Sequence, residues 1–205
     1  MELSSHDSVA VLTFPPTTAY PCLTRAILQD LDKLLEEVTS AGLFTGVVIA
    51  SNHNSFVVGA DVEEIGAVEG VGARQLAELG QSTCRRIEHF PFPVVAAIRG
   101  YCLGGGLDLA LACHARVATY DASFGHPGVA LGLIPGWGGT QRLPRLVGKS
   151  SALQMLLTGD RIPATQALTM GLVDELASSQ DLLSAAAKRA QALRVVPPAR
   201  AKLGP

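Results

Sequence analysis

Charge is scarce in this chain of 205 residues: Lys, Arg, Asp and Glu make up 17%, and the formal net charge is −2. So even a balance gives no general drive toward nucleic acid or an anionic membrane surface. Long apolar runs are missing as well. The run Val94 to Ile98 has the length of a strand and falls far short of a membrane span. No basic region followed by an apolar stretch opens the chain, whose first basic residue is Arg25, so no leader is expected. The four cysteines (Cys22, Cys84, Cys102, Cys113) show no CxxC spacing, which predicts free thiols in a reducing, cytoplasmic setting. The five histidines have neither HxxxH nor HExxH spacing, so no metal site is expected.

What is abundant is apolar: 48% of residues, enough for one domain with a substantial core. The elements alternate. Val9 to Phe14, Gly46 to Ala50, Val94 to Ile98 and Ala115 to Tyr120 read as strands. Leu23 to Val38 repeats apolar residues with helical period, and a second helix is predicted over Ala73 to His89, closed by Pro91 and Pro93. Beyond Gly139 the pattern is mainly helical, over Gly139 to Val147, Ser150 to Leu157, Thr165 to Met170 and Ala185 to Leu193. Strand–helix alternation of this kind predicts an α/β domain with a parallel or mixed sheet.

The densest chemistry lies between Arg99 and Pro144. Gly104, Gly105 and Gly106 open a short apolar helix, Leu107 to Ala112, that carries one acid, Asp108. Glycines let a backbone approach a ligand closely, and a helix start offers N–H groups with partial positive charge. That combination suits stabilising an oxyanion, with a carboxylate nearby to move a proton. The plainer reading of Asp108 is a helix N-terminal acid favoured by the dipole. Two other motifs fail on spacing. Gly148-Lys149-Ser150 would need a glycine where Leu143 stands to form a phosphate loop, and Gly136 to Thr140 lacks the dinucleotide GxGxxG pattern.

The blocks GYCLGGGLDLALAC, SFGHP, LGLIPGWGGTQRLPRLVGKS and LTGDRIPATQALTMGLVDE, with SFVVGADVEEI upstream, resemble the crotonase (enoyl-CoA hydratase/isomerase) superfamily. The resemblance covers roughly Val9 to Ala177. It implies the crotonase fold, a spiral of ββα units with C-terminal helices, divided as a core over residues 1–178 and the remnant of a helical region over 179–205. It also implies an acyl-CoA substrate with no cofactor beyond the coenzyme A of the thioester, and a homotrimer or dimer of trimers. By motif correspondence the oxyanion N–H groups are those of Ala60 and Gly105. Asp108 matches the first of two glutamates that the hydratases use, with a reach shorter by about 1.5 Å, one carbon–carbon bond. Gly59, Asp61, Val62, Tyr101, Gly104, Gly128, Pro135 and Trp137 are the expected substrate and coenzyme contacts. Asp61 and Val62 are expected near the adenine, and Tyr101 and Trp137 along the acyl group. Trp137 is read equally as core, and Ala60 alternatively as part of an ordinary turn.

This sequence departs from the family pattern in four places. The second glutamate is replaced by Gly128, and Gly136 stands where some isomerases carry a further acid. His126, two residues before Gly128 on the same face of an extended segment, is the candidate to compensate as an acid–base group. His114 is read as structural, and Glu63 and Glu64 as a solvated helix face. Family chains continue past Pro205 with helices that cover the site, and here the expectation is an uncovered groove that favours association. Tyr20-Pro21-Cys22-Leu23 replaces the usual Asn-Ala-Leu, where coenzyme contacts come from backbone. The leading expectation is hydration of an enoyl-CoA. The alternatives are another enolate reaction or an acyl-CoA binder without turnover.

Overall fold

A computed structural model describes residues 1–16 and 19–194. The main sheet has six strands in the order β1 (Glu2–His6), β2 (Val9–Phe14), β3 (Gly46–Ser51), β4 (Val94–Ile98), β6 (Ala115–Thr119) and β9 (Glu175–Ala177). All neighbouring pairs are parallel except β1 with β2. A second sheet contains β5 (Tyr101–Leu103), β7 (Ser123–Gly125) and β8 (Ile162–Pro163).

The main sheet is buried on both faces, and this is why β2 is apolar throughout. Ala10, Leu12 and Phe14 point to one core, shared with Leu28, Leu31, Leu35 and Val38 of α1 (Arg25–Ala41) and with α3 (Val71–Glu88). Val9 and Val11 point to the other, beneath Ala186, Ala187 and Ala190 of α8 (Leu182–Ala192). Alternate residues of one strand thus serve two layers. The small residues of α8 allow a close approach: a Cβ placed on Gly46 of β3 would lie 3.0 Å from that of Ala190. Residues 179–194 therefore share a core with the sheet, while 195–205 lie outside the described residues.

Helix ends follow sequence signals. The Thr24 hydroxyl accepts from Ile27 N at 3.2 Å to open α1, and Gly42, at φ 63°, closes it. Arg116 of β6 is 3% exposed and donates to Asp174 and to the carbonyls of Leu172, Ala110 and Cys113, which ties β6 to the approach of β9. No helix among the described residues is long and apolar enough to cross a membrane.

The spiral is visible in the way units repeat across both sheets. After β4 the chain enters β5 and then α4 (Gly105–Ala112); after β6 it enters β7 and a 3-10 turn, Pro127–Leu131. After β3 it passes Val57, bridged in parallel to Cys102 of β5, before α2 (Val62–Gly66) and α3. Three successive units therefore leave the second sheet side by side. Their exits converge at one end of that sheet, which positions the site.

Candidate active site

Register brings the expected oxyanion groups together. Val57 pairs with Cys102, so three residues further along each segment Ala60 stands beside Gly105. A Cβ added to Gly105 would lie 3.2 Å from the Ala60 nitrogen. Among the described residues neither of these N–H groups donates to the protein. The three glycines answer three different demands. Gly104, at φ 51° and ψ −122°, takes a positive-φ conformation open to glycine that turns β5 into α4. Gly105 lies against Trp137, whose ring a Cβ would approach to 2.5 Å. Gly106 packs on the Val57 carbonyl, which a side chain would overlap. Gly59, at φ 126°, turns the other segment.

Asp108 sits one turn into α4, 1% exposed, and His126 follows β7, 2% exposed. His126 Nε2 lies 3.6 Å from Asp108 Oδ1, and neither atom has a hydrogen-bond partner among the described residues. Asp108 Oδ2 accepts from Trp137 N at 3.1 Å. Burial pushes the Asp108 carboxyl up to about 7, against the pull of the Trp137 N–H, Arg142 and the Gly139 N–H. The Gly139 N–H favours the carboxylate without completing a hydrogen bond to Oδ1. Burial also pushes His126 down to about 4. At pH 5 to 6 the pair is therefore a carboxylic acid beside a neutral imidazole.

Both groups open onto a cavity of about 430 Å³. Its walls also include Gly59, Ala60, Val62, Gly104, Gly105, Gly128, Pro135 and Trp137, and are otherwise mostly apolar. Trp137 is 7% exposed; a Cβ on Gly80 of α3 would overlap its indole, so the ring is wedged between α3 and the start of α4. The ring is core and cavity wall at once. A larger open groove of about 640 Å³ beside Leu35, Arg85 and Phe90 is lined by none of the buried unpartnered side-chain atoms found among the described residues. Chemistry, not volume, marks the site.

The enoyl-CoA hydratase/isomerase family model matches residues 4–203. The chain belongs to that family. It is 44% identical over 191 residues to the fatty acid oxidation complex subunit alpha of Shewanella halifaxensis (strain HAW-EB4), covering 91% of this chain and 27% of that one. It thus spans about a quarter of that relative. Among solved structures, an enoyl-CoA hydratase from Bacillus anthracis superposes with a TM-score of 0.87 at 32% identity, over 93% of this chain and 74% of the other. Pseudomonas aeruginosa DspI gives 0.85 at 33% identity, over 92% and 72%. The crotonase fold and membership of an enzyme family follow.

In this hydratase/isomerase family member, two expected contacts lie away from the cavity. The Asp61 carboxylate caps α2, accepting from Glu64 N at 2.9 Å, because a helix start needs an acceptor there. Tyr101 packs its ring 5.8 Å from that of Tyr20, with Arg161 5.1 Å over its face, because alternation along β5 turns it from the cavity. Glu64 is not merely solvated, since it accepts from Arg25 N at 2.9 Å. His114 Nδ1 accepts from Val94 N at 3.0 Å, a strand-joining contact. Sequence reading missed Arg142 and Gly80. A glycine inside an otherwise regular helix was the available signal for Gly80. Arg142 had none, because its partner Glu88 is 54 positions away.

The pair predicts a linkage in this family member. Asp108 binds its proton more tightly folded than unfolded, so its contribution to stability falls as pH rises from about 4 to 7. His126 binds its proton less tightly when folded, so its contribution rises from about pH 4 to 6.5. In the shared window the slopes oppose each other. Relative to wild type, His126→Gln should lose stability with rising pH there and Asp108→Asn should gain it. Each slope should approach about 1.4 kcal/mol per pH unit, read by urea unfolding across a pH series. Parallel curves for all three proteins would show that the two groups are not buried as a neutral pair.

Proposed function

We propose that this protein adds water across the double bond of an α,β-unsaturated acyl-CoA, through a thioester enolate held by the Ala60 and Gly105 N–H groups. The observation that carries this reading is the convergence of those N–H groups with Asp108 on one apolar cavity. Negative charge develops on the thioester oxygen as the nucleophile adds, and preorganised donors stabilise it by about 3–4 kcal/mol each where such donors have been removed elsewhere.

One carboxyl then carries the proton traffic. Ionised Asp108 takes a proton from water as the water oxygen bonds to carbon 3. The same proton passes from Asp108 to carbon 2 as the enolate collapses, so one water is added and the carboxylate returns. His126, neutral above about pH 4, accepts a hydrogen bond from that water or holds its position beside Oδ1. Because the base form starts the cycle, kcat/KM should rise with pH through a midpoint near 7. Coenzyme A enters as part of the substrate. The homotrimer or dimer of trimers belongs to the same proposal and is supported by exposed Leu153 and Leu157 on α6 (Lys149–Thr158).

Gly128 favours a second reading. With one carboxyl where two are usual, the cavity also suits a different enolate reaction, or binding without turnover. The test is mass spectrometry of linear, branched and cyclic enoyl-CoA esters incubated with the protein. Gain of one water on any member supports hydration. No gain with binding retained moves the assignment to the second reading.

A further inference from the structure

Arg142 does not reach the cavity, yet it holds the wall that holds Asp108. It lies on α5 (Gly139–Val147) with its side chain 13% exposed. Its Nη1 donates to the Trp137 carbonyl at 2.9 Å, and its Nη2 donates to Glu88 Oε2, at the end of α3, at 2.8 Å. Trp137 is the residue whose N–H donates to Asp108. Gly138 between them, at φ 106°, lies against the guanidinium so closely that a side chain there would overlap it. The loop is tied to α3 through one arginine of α5, with the Trp137 N–H held on Asp108 of α4.

We propose that Arg142 is a positioning residue: anchored by Glu88, it fixes the Trp137–Gly139 turn so that the Trp137 N–H meets the Asp108 carboxylate, and thereby sets how tightly Asp108 holds its proton. A planar fork suits this, because it satisfies a carboxylate and a carbonyl in fixed directions, which a lysine ammonium does not. The charge adds to the geometry, since Arg142 favours the ionised form of Asp108. The other groups around Asp108 do not compete strongly. His126 faces it from the end of β7 and stays neutral. Burial pushes the thiols of Cys84 on α3, Cys102 on β5 and Cys113 at the end of α4 upward, so they stay protonated. Glu88 on α3 is tied to Arg142. The catalytic meaning of this grip rests on Asp108 acting as proposed above; the grip itself does not.

The test reads Asp108 directly and needs no turnover. The protein is labelled at aspartate side-chain carboxyls, and the Asp108 resonance, identified by its loss in Asp108→Asn, is titrated by carbon-13 NMR. Arg142→Gln should raise the midpoint by about one pH unit, a tenfold change in proton affinity. Arg142→Lys, which keeps the charge and loses the fork, should raise it by less. A wild-type midpoint in folded Arg142→Gln overturns the proposal, whatever happens to its thermal stability. If Arg142→Gln does not fold, Arg142→Lys decides: a raised midpoint supports the proposal and an unchanged one overturns it. Because activity is not the readout, failure here is distinct from failure of the hydration reading.

Discussion

Asp108→Asn is expected to lower turnover by about 10²–10⁴-fold, the usual contribution of a positioned acid–base group, while thioester affinity stays within about threefold of wild type. The substitution is well matched to the site. An asparagine oxygen can still accept from Trp137 N, so the turn over α4 keeps its contact. The uncharged amide also resembles the protonated carboxyl that burial favours below about pH 7. Relative to wild type, stability should therefore hold near pH 4 and rise between about pH 4 and 7, where folding keeps the aspartate protonated at a growing cost that asparagine does not carry. Loss of rate would then report chemistry and not unfolding. The Ala60 and Gly105 N–H groups come from backbone and stay in place, so binding should survive. An unchanged rate would remove Asp108 from the mechanism and leave it as an acceptor for the Trp137 N–H alone.

Most of the layered architecture was legible because parallel strands buried on both faces are written as continuous apolar runs. Val9 to Phe14, Val94 to Ile98 and the helix over Gly139 to Val147 carry the same bounds in sequence and structure. The polar strand β1 was not legible. Its residues are Glu2-Leu3-Ser4-Ser5-His6, and it sits at the sheet edge, where pairing rather than burial defines a strand. The second sheet was equally hidden, since strands of two or three residues carry no period. At the site, the glycine triplet and Asp108 stood out because spacing along the chain encodes them. What spacing cannot encode is contact across the fold. His126 faces Asp108 from 18 residues away, Trp137 supplies its N–H from 29, and Glu88 holds Arg142 from 54. Tyr101 shows the converse limit. It lies next to the motif in sequence, yet the pleat turns it toward Tyr20 and Arg161.

Gly128→Glu is expected to raise the hydration rate by about 10²-fold or more, because it returns a second carboxyl to a cavity that has room for it. The backbone accepts the change. Gly128 is not in the left-handed region, and a Cβ there would meet only Leu133, its Cβ at 3.5 Å and its carbonyl at 3.8 Å, both ordinary contacts. The new side chain would project from a residue that already lines the cavity. Two carboxyls could then divide the work, one taking the proton from water while the other delivers one to carbon 2. A second carboxylate near Asp108 also disfavours ionising both, so the ascending limb of the rate should move to higher pH as its plateau rises. Gly128→Gln separates charge from bulk. A gain confined to the glutamate variant would mean that the absent carboxyl limits hydration in the wild type. An equal gain from glutamine would assign the effect to positioning of the water. No gain from a folded glutamate variant, with thioester still bound, would mean that this cavity is not limited by a missing acid at residue 128. It would then favour an enolate reaction that needs only Asp108.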